Sequence, residues 1–186
     1  MTDLNGESGA HQAIGRFWCI FSQLEYELGE TVKVIFKVQN HEAADAIVAL
    51  ADFTKKVNLV RSAVQFARRP TGEELPNELK EFAQNTLKAI LSVNDERVLL
   101  AHSRLQPQTD GSIAITRLTA GGTLKINAHH WTQHDFTQKC AKLESLIDEV
   151  HNIRNELMTI KLDVDGGRVF FGDKLTAVKV SAQPTP

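Results

Sequence analysis

Hydrophobic positions recur at helical spacing in four long segments of the chain. The segments cover about residues 13–38, 42–67, 76–104 and 132–160. In each of them, apolar side chains return every three or four residues, which is typical of a helix that packs one face against a core. The pattern predicts a mainly α protein built as a four-helix bundle.

The spacing changes between the third and fourth predicted helices. Short alternating apolar runs flank Gly121-Gly122, which predicts a β-hairpin at about 112–127, inserted before the last helix. After Ile160 the pattern is strand-like again. We therefore expect a helical domain over 1–160 that contains the hairpin, followed by a short strand-like C-terminal extension over 161–186.

Composition narrows the class of protein. The chain has 186 residues, of which 42% are hydrophobic, so it can bury a core and is not a disordered tail or a disulfide-stapled miniprotein. A net charge of −2 argues against a broad basic surface that binds nucleic acid through phosphates alone, although a local basic pocket remains open.

The polar N-terminal segment and the cysteines favour a cytoplasmic protein without a membrane partner. Residues 1–12 are polar and lack an apolar signal core, and no apolar run approaches the ~20 residues that a membrane span needs. Cys19 and Cys140 both lie in apolar helical patterns, which predicts two buried free thiols.

Two polar residues interrupt the apolar stripe of the third helix. On a helical wheel Arg97 falls at the centre of the stripe and Asn94 inside it. An unpaired buried charge is strongly unfavourable, so Arg97 needs a partner or an opening to solvent. Glu25 lies in the apolar sector of the first helix, which predicts an Arg97–Glu25 contact. Alternatively, Glu25 sits at the edge of its sector and reaches water.

His102 follows Arg97 by five residues. On a straight helix this spacing is about 140° of rotation and roughly 7.5 Å of rise, so the two side chains do not share a face. Their convergence needs a bent arginine side chain, a distorted helix end or a symmetric dimer axis nearby. The alternative is that His102 only caps the last carbonyls of the helix.

The segment Asn94–Ser103 (NDERVLLAHS) resembles the signature of the HEPN superfamily, the higher eukaryotes and prokaryotes nucleotide-binding domains. That signature is an Arg followed, after four to six residues, by a His late in a helix of a small bundle. The layout over about 13–160, with an acidic residue (Glu25) in the first helix, also resembles the family. The resemblance implies a HEPN-like four-helix bundle.

The resemblance further implies a metal-independent endoribonuclease that needs no cofactor and builds its site across a homodimer, with RNA as substrate. His102 would move protons while Arg97 binds the phosphate. In supporting roles, Ser103 would hydrogen-bond the phosphate and Glu96 would orient Arg97 or His102. Family members act as toxins, RNA-processing factors or phage-defence effectors, which makes an antitoxin or another protein a candidate partner.

Two other functions stay open. The first is a catalytically inert helical module that dimerises or binds a protein or nucleotide partner. It is favoured by the slightly acidic charge and by Val98, because active members often carry a polar residue directly after the arginine. The second is a purely structural bundle in which an Arg97–Glu25 pair fixes the register of the helices.

Further candidate residues lie near the last helix. Arg154 falls in its apolar stripe and either extends to solvent or makes a second contact with RNA phosphate. His129, His130 and His134 form a possible metal cluster, but the helix is predicted to begin between them. We therefore predict no metal site.

Overall fold

The computed structural model of the chain describes residues 4–36, 41–67, 74–120 and 124–158. This part is mainly helical, with five helices and one small antiparallel sheet of three strands. In chain order the elements are α1 (Leu4–Phe36), α2 (His41–Leu50), α3 (Phe53–Phe66), α4 (Asn77–Ala101), β1 (Arg104–Pro107), β2 (Ile113–Ala120), β3 (Leu124–Trp131) and α5 (Gln133–Met158).

The segment predicted as one helix over 42–67 is two helices, so that prediction is wrong. The break is at Asp52, whose extended backbone (φ −64°, ψ 167°) begins α3 as its N-cap. Its Oδ1 atom accepts a hydrogen bond from the backbone N–H of Lys55 at 2.8 Å, which satisfies one of the free donors of the first turn. Because α2 ends before the break, Leu50 leaves the predicted apolar face and is 84% exposed.

The sheet is larger than the predicted hairpin. β2 and β3 form the hairpin as predicted, with Ile113 opposite Trp131. However, α4 ends at Ala101 and not near residue 104, because the chain continues directly into β1, which pairs with β2 in the order β1-β2-β3. At the other end of the chain, α1 begins at Leu4, earlier than predicted. The predicted extension over 161–186 lies outside the described residues.

The chain divides into two compact units, each formed from two stretches of sequence. Unit 1 comprises Met1–Tyr26 and Lys88–Asp148, and unit 2 comprises Glu27–Leu87 and Glu149–Pro186. Three helices, α1, α4 and α5, contribute residues to both units.

Each unit has its own apolar core. In unit 1 the ring of Phe17 lies 6.3 Å from that of Phe21 and 6.4 Å from that of Trp131, and Phe136 meets Trp131 edge-on at 5.4 Å. Such ring pairs add to the stabilisation that apolar burial provides. In unit 2 the core is aliphatic and includes Leu28, Val32, Val57, Val60, Leu87 and Ile153, all at most 1% exposed.

The two cysteines were predicted to be buried free thiols, and both are free. Cys140 is buried, which raises the pKa of its thiol. Cys19 is exposed, so its predicted burial is wrong.

Within the described ranges, no helix combines the length and the apolar character required to cross a bilayer.

Candidate functional site

Arg97 lies half-buried on α4, within unit 1. Its Cζ atom is 5.8 Å from the ring centroid of Trp18 and 5.8 Å from that of Phe21, both on α1. Aromatic rings attract a guanidinium through their negative faces, so these two rings stabilise the charge of Arg97 by cation–π interactions. The Nε atom of Arg97 is buried and has no hydrogen-bond partner. The predicted contact between Arg97 and the half-buried Glu25 stays a prediction.

His102 is exposed and lies directly after α4. Its backbone N–H donates to the carbonyl of Val98 at 3.1 Å, which continues the helical hydrogen-bond pattern by one residue. Because the helical hydrogen-bond pattern continues to His102, the side chains of His102 and Arg97 are about 140° apart around the axis of α4. The imidazole is open to solvent and therefore accessible to a substrate.

Glu96 connects the end of α4 to α5. Its Oε1 atom accepts a hydrogen bond from Nζ of Lys139 at 2.7 Å, and the same ammonium lies 4.3 Å above the ring of Trp131. The Oε2 atom of Glu96 is buried without a hydrogen-bond partner. The sequence does not predict the role of Lys139, since nothing in its local pattern separates it from Lys142 on the same helix.

Unsatisfied polar atoms are concentrated in the segment that carries the motif. Among the described side chains, four such buried atoms occur, and three of them belong to Glu96 (Oε2), Arg97 (Nε) and Ser103 (Oγ). Leaving a buried polar atom unpaired costs about 1–3 kcal/mol, and folded proteins contain few of them. Arg97 and Ser103 offer donors suited to an anionic oxygen, while Glu96 offers an acceptor. Asn94 lies half-buried nearly one turn before Arg97.

Arg154 makes an ion pair instead of extending to solvent, and its predicted contact with RNA phosphate stays a prediction. It lies on α5 in unit 2, where its Nη1 atom donates to Oε2 of Glu27 at 2.6 Å. His151 places Nε2 2.8 Å from the same oxygen, but without the geometry of a hydrogen bond. The prediction that Arg154 extends to solvent is therefore wrong, and its guanidinium is held by a buried carboxylate. The deeply buried acid of α1 is Glu27, which the sequence reasoning missed.

Two of the three histidines considered for metal binding, His130 and His134, have other contacts, and His129 is exposed. Nε2 of His130 lies 2.8 Å from Oγ of Ser112, and His134 accepts a hydrogen bond from the side-chain amide of Gln138 at 2.9 Å. In the part of the chain that the structure describes, no group of three or more His, Cys, Asp or Glu side chains is placed to hold a metal ion.

An open pocket of about 230 Å³ lies elsewhere in unit 1. Its wall includes Gly9, Arg16, Phe136 and the buried Cys140, and none of the predicted site residues lines it. Arg16 is already engaged at the surface by Glu144 at 3.0 Å. The end of α4 is therefore a better candidate site than this pocket.

Neither a family model, nor a curated protein, nor a solved structure matches the chain. A function therefore has to follow from the chemistry at the end of α4. That region combines an exposed imidazole, a guanidinium held on aromatic rings, and buried donors without partners.

Proposed function

We propose that this protein is a metal-independent endoribonuclease of the HEPN type, a homodimeric HEPN-like four-helix bundle whose reaction depends on Arg97 and His102. The observation that carries the proposal is the concentration of unpaired buried polar atoms at Glu96, Arg97 and Ser103, beside the exposed His102. In cells, such an activity would serve as a toxin, in RNA processing or in phage defence.

RNA supplies its own nucleophile, which is why this reaction needs no metal ion. The 2′-hydroxyl attacks the adjacent phosphorus, the new P–O2′ bond forms, and the P–O5′ bond breaks. The products are a 2′,3′-cyclic phosphate and a free 5′-hydroxyl. His102 of one subunit accepts the proton of the 2′-hydroxyl, and the same residue of the second subunit protonates the leaving 5′-oxygen.

Arg97 binds the phosphate as negative charge grows on its oxygens. The rings of Trp18 and Phe21 fix the guanidinium, which supplies positive charge and N–H donors to the phosphate. Ser103 donates a second hydrogen bond to the same group. Glu96, fixed by Lys139, orients the end of α4 on which these donors lie.

A second candidate function is a catalytically inert module that binds a protein or nucleotide partner. The observation that favours it is the contact of Arg97 with Trp18 and Phe21, since these rings accommodate the buried-face charge without any substrate. Val98, which follows Arg97, agrees with this alternative. In that case the end of α4 is a docking surface for an antitoxin or a second copy of the chain.

Cleavage of a labelled single-stranded RNA in the presence of EDTA separates the two functions. We expect the wild-type protein to cleave and to leave 2′,3′-cyclic phosphate ends. His102→Ala should slow cleavage by about 100-fold or more, the usual contribution of one general acid or base. His11→Ala is the matched control, because His11 is another exposed histidine of unit 1, lies on α1 and has no role in the proposed reaction.

Folding and oligomeric state are checked on the same samples. Circular dichroism should show equal helix content in all variants, and light scattering after size exclusion should give the mass of a dimer. Equal, slow cleavage by the wild type and by folded His102→Ala would contradict the nuclease and favour the inert module. Arg97→Lys keeps the charge but loses the planar guanidinium, and we expect it to cleave more slowly than the wild type.

A further inference from the structure

The small sheet is free of acidic residues, although the whole chain is slightly acidic. Between positions 102 and 134 the one acidic residue is Asp110, which lies in the turn before β2. The strands themselves contain no Asp or Glu, and they carry the cationic or titratable residues Arg104, Arg117, Lys125, His129 and His130. The sheet is therefore a local positive region on a protein of net charge −2.

Two arginines of the sheet differ from the other described arginines. Arg16 pairs with Glu144, Arg61 contacts Asn58, and Arg154 pairs with Glu27. Within the described ranges, no ion pair, hydrogen bond or ring contact involves the side chain of Arg104 or of Arg117. Their charges are therefore available to an anionic ligand.

One face of the sheet is open to solvent at the side chains that the structure describes. Side chains alternate along each strand, so that Ile113, Ile115 and Trp131 are buried in the core of unit 1 on one face. The opposite face, called here the solvent face, consists of residues that are exposed or half-buried: Arg104, Gln106, Ala114, Thr116, Leu118, Ile126, Ala128 and His130.

An apolar pair lies on this solvent face. Leu118 and Ile126 are directly opposite each other in the register of β2 and β3, and they are 62% and 65% exposed. Paired exposed aliphatic side chains on an otherwise well-packed unit are typical of a binding surface. Their neighbours on the face are uncharged or cationic, which favours a ligand that combines apolar surface with negative charge.

We propose that the solvent face binds single-stranded RNA, with a phosphate on Arg104 and bases against Leu118 and Ile126. The identity of the ligand rests on the proposed function, whereas the preference for a single-stranded polyanion follows from the surface itself. In a duplex the base faces are stacked and closed to side chains, but in a single strand they are open to apolar contact. Arg104 follows His102 by two residues, so a strand bound there lies next to the proposed site.

Fluorescence anisotropy with a fluorescein-labelled RNA of mixed sequence tests this surface. The measurement uses EDTA and the His102→Ala protein, so that the RNA stays intact. We expect Arg104→Gln to weaken binding several-fold and to reduce the slope of log Kd against log salt by about 0.7, the value for one phosphate contact on a single strand. The double variant Leu118→Thr with Ile126→Thr should weaken binding without changing that slope.

Two matched controls lie outside the sheet. Arg61→Gln removes an arginine of α3, and Leu50→Thr removes an exposed leucine of α2. Both should bind RNA as the parent protein does. Affinities for the sheet variants equal to those of the controls would overturn the proposal. A change in oligomeric mass of the Leu118/Ile126 double variant, with unchanged RNA affinity, would also overturn it and identify the face as a protein interface.

The outcome is independent of whether the nuclease proposal holds. RNA binding that depends on Arg104, from a wild-type protein that does not cleave, would support the solvent face and contradict the nuclease. Cleavage that depends on His102, with RNA affinity unaffected by the sheet variants, would support the nuclease and contradict RNA binding at the solvent face.

Discussion

Glu27 shows what a charged residue requires inside a helical core. Its side chain is only 11% exposed, and its Oε2 atom lies 2.6 Å from Arg154 and 2.8 Å from His151, both on α5. A buried carboxylate without partners is strongly unfavourable, and so is a buried guanidinium. Each therefore needs the other as an ion-pair partner within unit 2.

We predict that Glu27→Ala lowers the free energy of unfolding by about 3 kcal/mol, near the low end of the range for breaking a buried ion pair. The loss arises because Arg154 keeps its charge but loses its partner. Urea unfolding measures the change, and Glu81→Ala is the control, since Glu81 is an exposed glutamate of unit 2 on α4. Equal losses for the two variants would contradict the role assigned to Glu27.

The residues of the candidate site were predictable to different degrees. The wheel of α4 places Arg97 in the apolar stripe, and the structure does hold it half-buried against two rings. The wheel of α1 places Glu25 between Phe21 and Trp18, whereas Glu27 falls at the opposite edge of the stripe, about 60° from Leu24. The burial of Glu27 follows from its partners on α5, Arg154 and His151, and one helix considered alone does not contain that information.

At the scale of elements, two of the four glycines of α1 lie in contrasting surroundings. Gly15 is exposed, and a Cβ atom added there would meet nothing within 4 Å. Gly29 is buried, and an added Cβ would lie 2.9 Å from Cγ1 of Val48 on α2. Because valine has few rotamers, it cannot easily move aside. Gly29 therefore permits the close approach of α1 and α2 in unit 2.

We predict opposite effects of alanine at these two positions. Gly15→Ala should stabilise the protein by about 0.5–1 kcal/mol, because alanine loses less backbone entropy in a helix. Gly29→Ala should destabilise it by about 1–3 kcal/mol, the usual result of overpacking a core. Thermal unfolding of the two variants beside the wild type provides the measurement. A stabilisation of similar size at both positions would show that the helices can separate freely at Val48.

The long helices and the hairpin were predictable from the sequence, whereas the break before α3 and the short strand β1 were not. The apolar periodicity of α1, α4 and α5 extends over many turns, and the structure confirms these helices. The break between α2 and α3 contains no Gly or Pro, and the N-cap there is Asp52, so the apolar period continues across the break. β1 has four residues, one of them Pro107, which is too short for an alternating pattern to show.

At the scale of the whole molecule, three aspartates link stability to pH. Asp52, Asp110 and Asp135 each accept a hydrogen bond from a backbone N–H, of Lys55, Ser112 and Thr132 respectively. These bonds lower the pKa of each carboxyl group below its ordinary value, and at Asp110 the hydroxyl of Ser112, which also donates to the carboxylate, is the larger cause. The folded protein therefore binds protons less readily at these groups than the unfolded chain does.

We predict that the free energy of unfolding decreases as the pH falls below about 4, the ordinary pKa of aspartate. The contribution of these groups is complete above that pH, and it is lost as the pH falls through the lower pKa values of the folded state. Urea unfolding at a series of pH values measures the decrease. The triple variant Asp52→Asn, Asp110→Asn and Asp135→Asn keeps groups that can accept the bonds and should show a shallower decrease. An identical decrease in the wild type and in the triple variant would assign the acid sensitivity to other groups.

The division into two units has an optical consequence. Trp18, Trp131 and Tyr26 are all the tryptophan and tyrosine residues of the chain, and all belong to unit 1, whereas unit 2 contains only phenylalanine among these three types. Intrinsic fluorescence therefore reports on unit 1 alone, while far-ultraviolet circular dichroism follows the helices of both units. Coincident transitions by the two methods would mean that α1, α4 and α5, which belong to both units, make unfolding a single cooperative event. Separate transitions would mean that one unit opens while the other stays folded.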